Sequence, residues 1–126
     1  FSTAVEKLNI TDHAAQTTVT TTNGLTNLVV RSGVTITSAA NGPIELVAKD
    51  DFIMEVGAII TTLGNVVVRG DDDAGADVEG ATIKLFGAIH AATVTVYGNG
   101  ANDTVNISNV ASGAPTTINA GAGGLD

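Results

Sequence analysis

The densest run of chemically capable side chains in this 126-residue sequence is Asp71-Asp72-Asp73-Ala74-Gly75-Ala76-Asp77-Val78-Glu79. Its five carboxylates fall within nine residues and repel one another, and a hard cation among them relieves that repulsion. Calcium takes about 6–8 oxygens in flexible geometry, and Asp–Gly loops offer both side-chain and carbonyl oxygens. The spacing is not that of the helix–loop–helix calcium motif. The candidate calcium ligands are Asp71, Asp72, Asp73 and Asp77, joined by Asp103 at the end of Gly98-Asn99-Gly100-Ala101-Asn102-Asp103. The plainer reading is a solvated acidic loop that keeps the surface soluble. Asp50-Asp51 read as turn formers.

Other chemistry is sparse. His13 and His90 stand apart from each other and from any second ligand, and cysteine is absent. That excludes a disulfide scaffold and Cys-ligated zinc or iron–sulfur centres. No nucleophile–base pair or cleft-forming carboxylate pair is recognisable. The basic residues Lys7, Arg31, Lys49, Arg69 and Lys84 are scattered, unlike the basic strand faces of β-helical enzymes that cut acidic polysaccharides. The chain is therefore read as a non-enzyme, with a polysaccharide-active β-helical enzyme as the weakest alternative. A net charge of −8 leaves no phosphate-neutralising face for nucleic acid, and an anionic membrane would repel the chain. No apolar run approaches the ~18 residues of a membrane span. No leader segment is visible, and the start at Phe1 reads as that of a processed or excised piece.

Thr-x-Thr triplets begin at Thr18, Thr35 and Thr93. Stacked in rows they would order water as on ice-binding β-solenoids. Their starts are not one per coil, so the strand preference of Thr on a solvated face accounts for them. Asn9, Asn102 and Asn106 head glycosylation-type triplets that abundant Asn and Thr produce by chance.

The elements that must position these residues are short strands. Ile44, Leu46 and Ala48 alternate with Glu45, Val47 and Lys49, as Val94 and Val96 do with Thr93, Thr95 and Tyr97. Period two with β-branched residues, broken by Gly, Asn and Asp, reads as strand and turn. No window sustains a helical period for three turns. A tandem order recurs: Gly33-Val34-Thr35-Ile36 leads to a strand over 44–48 and an acidic turn; Gly57-Ala58-Ile59-Ile60 leads to 65–69 and another; Gly87-Ala88-Ile89-His90 leads to 93–97 and a third. The longer second interval holds residues 71–80, which read as a loop inserted at one corner. A strand repeat of roughly 20–30 residues predicts a right-handed parallel β-helix, or β-solenoid, of about five coils. An antiparallel β-sandwich is the competing fold. Inward candidates are Val34, Ile36, Ile44, Leu46, Ile53, Ile59, Val66, Val68, Ile83, Leu85, Ile89, Val94, Val96, Val105, Ile107 and Ile118. Small aliphatics suit a narrow interior that rings would overfill, and aromatics are only 3% of the chain.

Residues 44–52 followed by 57–62 resemble the repeats of large bacterial haemagglutinin-like surface proteins, which are secreted and β-helical. Residues 93–105 resemble the calcium-binding glycine–aspartate nonapeptides of secreted repeat toxins and adhesins, with Asn99 and Ala101 at two of the glycine positions. A second degenerate copy is Gly121-Ala122-Gly123-Gly124-Leu125-Asp126. The likeness covers residues 28–126 and implies a bacterial extracellular or cell-surface location.

The resulting expectation is one β-solenoid domain over 1–126, with 1–16 a terminal cap or an inter-subunit strand. Phe1, Val5, Leu8 and Ile10 supply the apolar side chains for either role. Open ends of a solenoid expose unpaired backbone groups and invite another chain. The function expected is a structural repeat protein that associates with copies of itself, end to end, into a surface filament or adhesin stalk. A calcium-dependent adhesive module is the alternative, and calcium the one cofactor in view.

Overall fold

A computed structural model of the chain describes residues 9–12, 17–20, 27–38, 42–71, 80–108 and 114–119. The described elements are all strands: β1 (Asn9–Asp12), β2 (Thr17–Thr20), β3 (Leu28–Val30), β4 (Thr35–Ser38), β5 (Ile44–Val47), β6 (Phe52–Met54), β7 (Ile59–Thr61), β8 (Asn65–Arg69), β9 (Thr82–Leu85), β10 (Ala88–His90), β11 (Thr93–Tyr97), β12 (Thr104–Ile107) and β13 (Thr116–Asn119). β1 to β12 are dealt in rotation into three sheets, and β13 joins the second of them. Sheet A runs β1-β4-β7-β10, sheet B runs β2-β5-β8-β11-β13, and sheet C runs β3-β6-β9-β12. Every strand pair is parallel. This is a β-solenoid, and the parallel pairing excludes the antiparallel sandwich. Sheets A and C have four levels and sheet B has five, close to the coil number expected. Among the described residues no helix is long and apolar enough to cross a membrane.

The in-register stacking turns sequence repeats into columns. In sheet A, Ile36 stands beside Ile60 and Ile60 beside Ile89, an isoleucine ladder whose three members are all buried. Leu46, Val68, Val96 and Ile118 form a column in sheet B. Val30, Met54, Leu85 and Ile107 do so in sheet C. Each fully buried aliphatic contributes about 1.5–3 kcal/mol relative to exposure. Because each column touches only the levels above and below, stability accumulates along one axis.

Several expected inward positions differ. On β6 the alternation has the opposite parity: Phe52 and Met54 are fully buried and Ile53 is not. A single ring therefore does fit the interior, flanked in its column by Leu28 and Ile83. On β7, Ile60 takes the core and Ile59 faces out. Both strands contain adjacent apolar residues, so alternation alone does not choose between faces. Val105 and Ile107 are only partly buried and Ile118 is 48% exposed, because they lie at the last levels of their columns. The glycine frame also slips. Gly33 and Gly57 share a left-handed turn, with φ of 81° and 88°. The pairing of Ile60 with Ile89, however, sets Phe86 opposite the Gly57 position, not Gly87. Gly87 instead permits a close approach, since a Cβ there would press on the Ala58 carbonyl.

Candidate functional site

The corner between sheets B and C gathers the polar groups that the sequence singled out. Arg69 ends β8, and Gly70 follows it, buried so tightly that a Cβ would meet the Ala81 side chain. Asp71 turns the chain with φ 49°, and its N–H donates to the Asp50 carbonyl of the level below (3.0 Å). One level above, Asn99 adopts the same left-handed region, φ 69°. Its Nδ2 donates to the Gly70 carbonyl at 2.7 Å and reaches the Asp71 carbonyl at 3.4 Å. Asn and Asp tolerate this backbone better than other non-glycine residues, so their place at the two stacked turns has a local cause.

Two carboxylates clamp the strand that re-enters the stack after residues 72–79. Asp51 Oδ1, from below, accepts the Thr82 N–H at 2.7 Å across 31 residues of sequence. Asp103 Oδ1, from above, accepts the Ala81 N–H at 2.8 Å across 22. Most of the difference between those two spans is the longer connection between β8 and β9 than between β11 and β12. Asp51 is also tied to the first level: its N–H donates to Asn27 Oδ1, and Asn27 Nδ2 donates to its Oδ2 at 3.3 Å. The sequence offered Asp51 as a turn former, and nothing local in it reveals this bridging role.

Asp103 is the electrostatically unusual member. Burial pushes its carboxyl above the ordinary carboxylate value, the Ala81 N–H pulls it down, and the nearby Asp71 charge raises it. Its Oδ2 is buried without a hydrogen-bond partner, lying over Gly98, where any Cβ would collide with it. An unpartnered buried carboxylate oxygen within the field of a second acid is an acceptor surplus, which protonation or a cation would relieve.

Of the five predicted calcium ligands, the structure therefore brings Asp71 and Asp103 into one electrostatic neighbourhood, at the root of the acidic segment. Asp72, Asp73 and Asp77 lie outside the described residues, as do residues 1–8, 13–16 with His13, and 120–126 with the second Gly–Asp copy. Among the described residues no group of three or more His, Asp or Glu side chains is placed to hold a metal. His90 is exposed at the end of β10.

Elsewhere, charged groups stitch neighbouring levels. Arg31 pairs with Glu55 at 2.6 Å, 24 residues on, at the corner between sheets C and A. Glu55 also accepts the Ser32 N–H, and these two bonds, the backbone one foremost, hold its carboxyl below the usual range. On sheet B, Arg69 donates to Glu45 at 2.7 Å and stacks 4.4 Å from the Tyr97 ring centroid, linking three levels.

Comparison with family models, with characterised proteins and with solved structures returns no match for this chain.

Proposed function

We propose that this chain is an extracellular structural protein whose β-solenoids join end to end, as subunits of a surface filament or modules of an adhesin stalk. The observation that carries the reading is the terminal level of the stack. Among the described residues, β10, β12 and β13 each pair on one side only. Ile118 continues the buried Leu46–Val68–Val96 column yet is 48% exposed. At the other end β1, β2 and β3 likewise pair on one side only among the described residues. A second copy placed on such an end would extend three parallel sheets at once, satisfying backbone donors and acceptors while covering Val105, Ile107 and Ile118. The resemblance of residues 44–62 and 93–105 to bacterial surface repeats supports a place outside the cell.

Negative-stain microscopy and sedimentation of the purified chain test this. Fibres that Ile118→Glu abolishes, while leaving the β-sheet circular dichroism unchanged, are expected. A monodisperse monomer at high concentration overturns the reading.

A second reading is a calcium-stiffened adhesive module, favoured by the unpartnered Asp103 oxygen in the neighbourhood of Asp71. Its test is the melting temperature with calcium and with chelator. A rise with calcium that Asp103→Asn removes is expected, and an unchanged melting curve ends it.

A further inference from the structure

We infer that sheet A is a lateral contact face on which solenoid stacks of this chain pack side by side against other copies of themselves; this rests on the end-to-end reading above. Three observations place it there. First, the face carries no formal charge at three successive levels. β4 is Thr-Ile-Thr-Ser, β7 is Ile-Ile-Thr and β10 is Ala-Ile-His. Asp12 ends β1 at the first level of the sheet, outside these three; the other described charges lie off it: Glu45 and Arg69 on sheet B, Lys84 on sheet C, Lys49, Asp50, Asp51, Asp71 and Asp103 at the corner between those sheets, and Arg31 paired with Glu55 at the corner leading into sheet A. Second, among the described residues three of the four exposed large apolar side chains belong to one level of this face: Val56 and Leu63, 72% and 76% exposed, flank β7, and Ile59 lies on it. Third, the outward residues stack in register. Thr37 stands beside Thr61 and Thr61 beside His90, which gives a flat, short-chained surface.

The occupant follows from charge. With a net charge of −8, two copies approaching through any acidic corner meet like charge. Sheet A is where copies can touch without that cost, and its apolar strip gains from being covered. Area then sets when they do so. Three levels about 4.8 Å apart and about 20 Å wide give about 300 Å² per copy, against about 800 Å² per partner in a stable interface. A single pair of copies falls short. A stack presents the strip repeatedly, and once about three copies are aligned the summed face reaches the stable range. Lateral packing is thus coupled to elongation: filaments bundle, whereas single subunits do not pair through this face.

The absence of cysteine makes the test clean. Thr61→Cys places a thiol on sheet A, and Thr95→Cys places one on the outer face of sheet B. Under mild oxidation, Thr61→Cys is expected to give about tenfold more disulfide-linked pairs than Thr95→Cys, because facing thiols act at high effective concentration. In micrographs, the double variant Ile59→Lys/Leu63→Lys is expected to turn bundles into single filaments of unchanged length. Equal cross-linking from the two sheets, or bundles that persist in the double variant, overturns the lateral face. Absence of filaments from the wild-type chain overturns the end-to-end reading instead, and the lateral face, which needs aligned copies, falls with it. A Thr61→Cys chain that gathers on a polysaccharide surface without cross-linking also counts against packing between copies.

Discussion

Ile59 and Ile60 are adjacent, chemically identical and on opposite faces of β7, which makes them a sharp test of the stacked register. Ile60 is fully buried, with Ile36 and Ile89 as its ladder neighbours, whereas Ile59 is 37% exposed. Ile60→Ala removes three carbons, worth ~2.4 kcal/mol at about 0.8 kcal/mol per buried methylene. The neighbouring levels are held by their own sheet hydrogen bonds and collapse little into the gap, so the cavity raises the total to about 3–4 kcal/mol. Ile59→Ala vacates a half-exposed site with solvent on one side, and its cost is about 1 kcal/mol or less. Urea titration followed by far-ultraviolet circular dichroism reads both. The expected result is a midpoint drop several times larger for Ile60→Ala, with similar slopes. Equal losses, or a larger one for Ile59→Ala, would mean that β7 sits one residue out of register, and the whole column assignment would fail with it.

Three further outcomes are expected. Asp103→Asn keeps an acceptor for the Ala81 N–H and removes a buried charge from beside Asp71, so in calcium-free buffer at neutral pH the variant melts above the wild type. The folded carboxyl is raised, so the native state holds the proton more tightly than the unfolded chain. Stability is therefore gained as pH falls through the folded value, and the advantage of the variant disappears below the unfolded value near ~3.9; thermal melts from acid to neutral pH check this. Thr62→Val removes a buried hydroxyl that donates to the Gly42 carbonyl at 2.7 Å and accepts the Gly64 N–H at 3.0 Å, and chemical denaturation should show a loss of about 1–3 kcal/mol. Gly98→Ala drives a methyl into the Asp103 carboxylate and should cost about 1–3 kcal/mol by the same assay, a loss that Gly100→Ala, in ordinary contact with Asp71, should not match.

Much of the architecture was legible before the coordinates. Ile44, Leu46, Val66, Val68, Val94 and Val96 alternate with polar or outward residues, and all six are buried. Where two apolar residues adjoin, as at Phe52-Ile53 or Ile59-Ile60, period two leaves both parities open, and packing against the adjoining levels decides. Of the candidate site, the acidic residues were visible as types. Asp51 was not recognisable as the partner of Thr82, because 31 residues separate them and nothing in either neighbourhood marks the other.

The amino-acid order by itself determined that the chain forms short strands broken by turns and that its charge is acidic. It also determined that left-handed corners fall at residues that tolerate them, Gly33, Gly57, Asp71 and Asn99. These are local properties: side-chain alternation, β-branching and backbone freedom act within a few residues. Tertiary structure alone decided which parity of β6 and β7 faces inward. It also decided that Asp71 and Asp103 share one corner and that uncharged strands from three levels make one continuous face. Each of those depends on which level stacks on which, and that register is set by the summed packing of whole columns and the closure of hydrogen bonds between distant strands, which no short window of sequence contains.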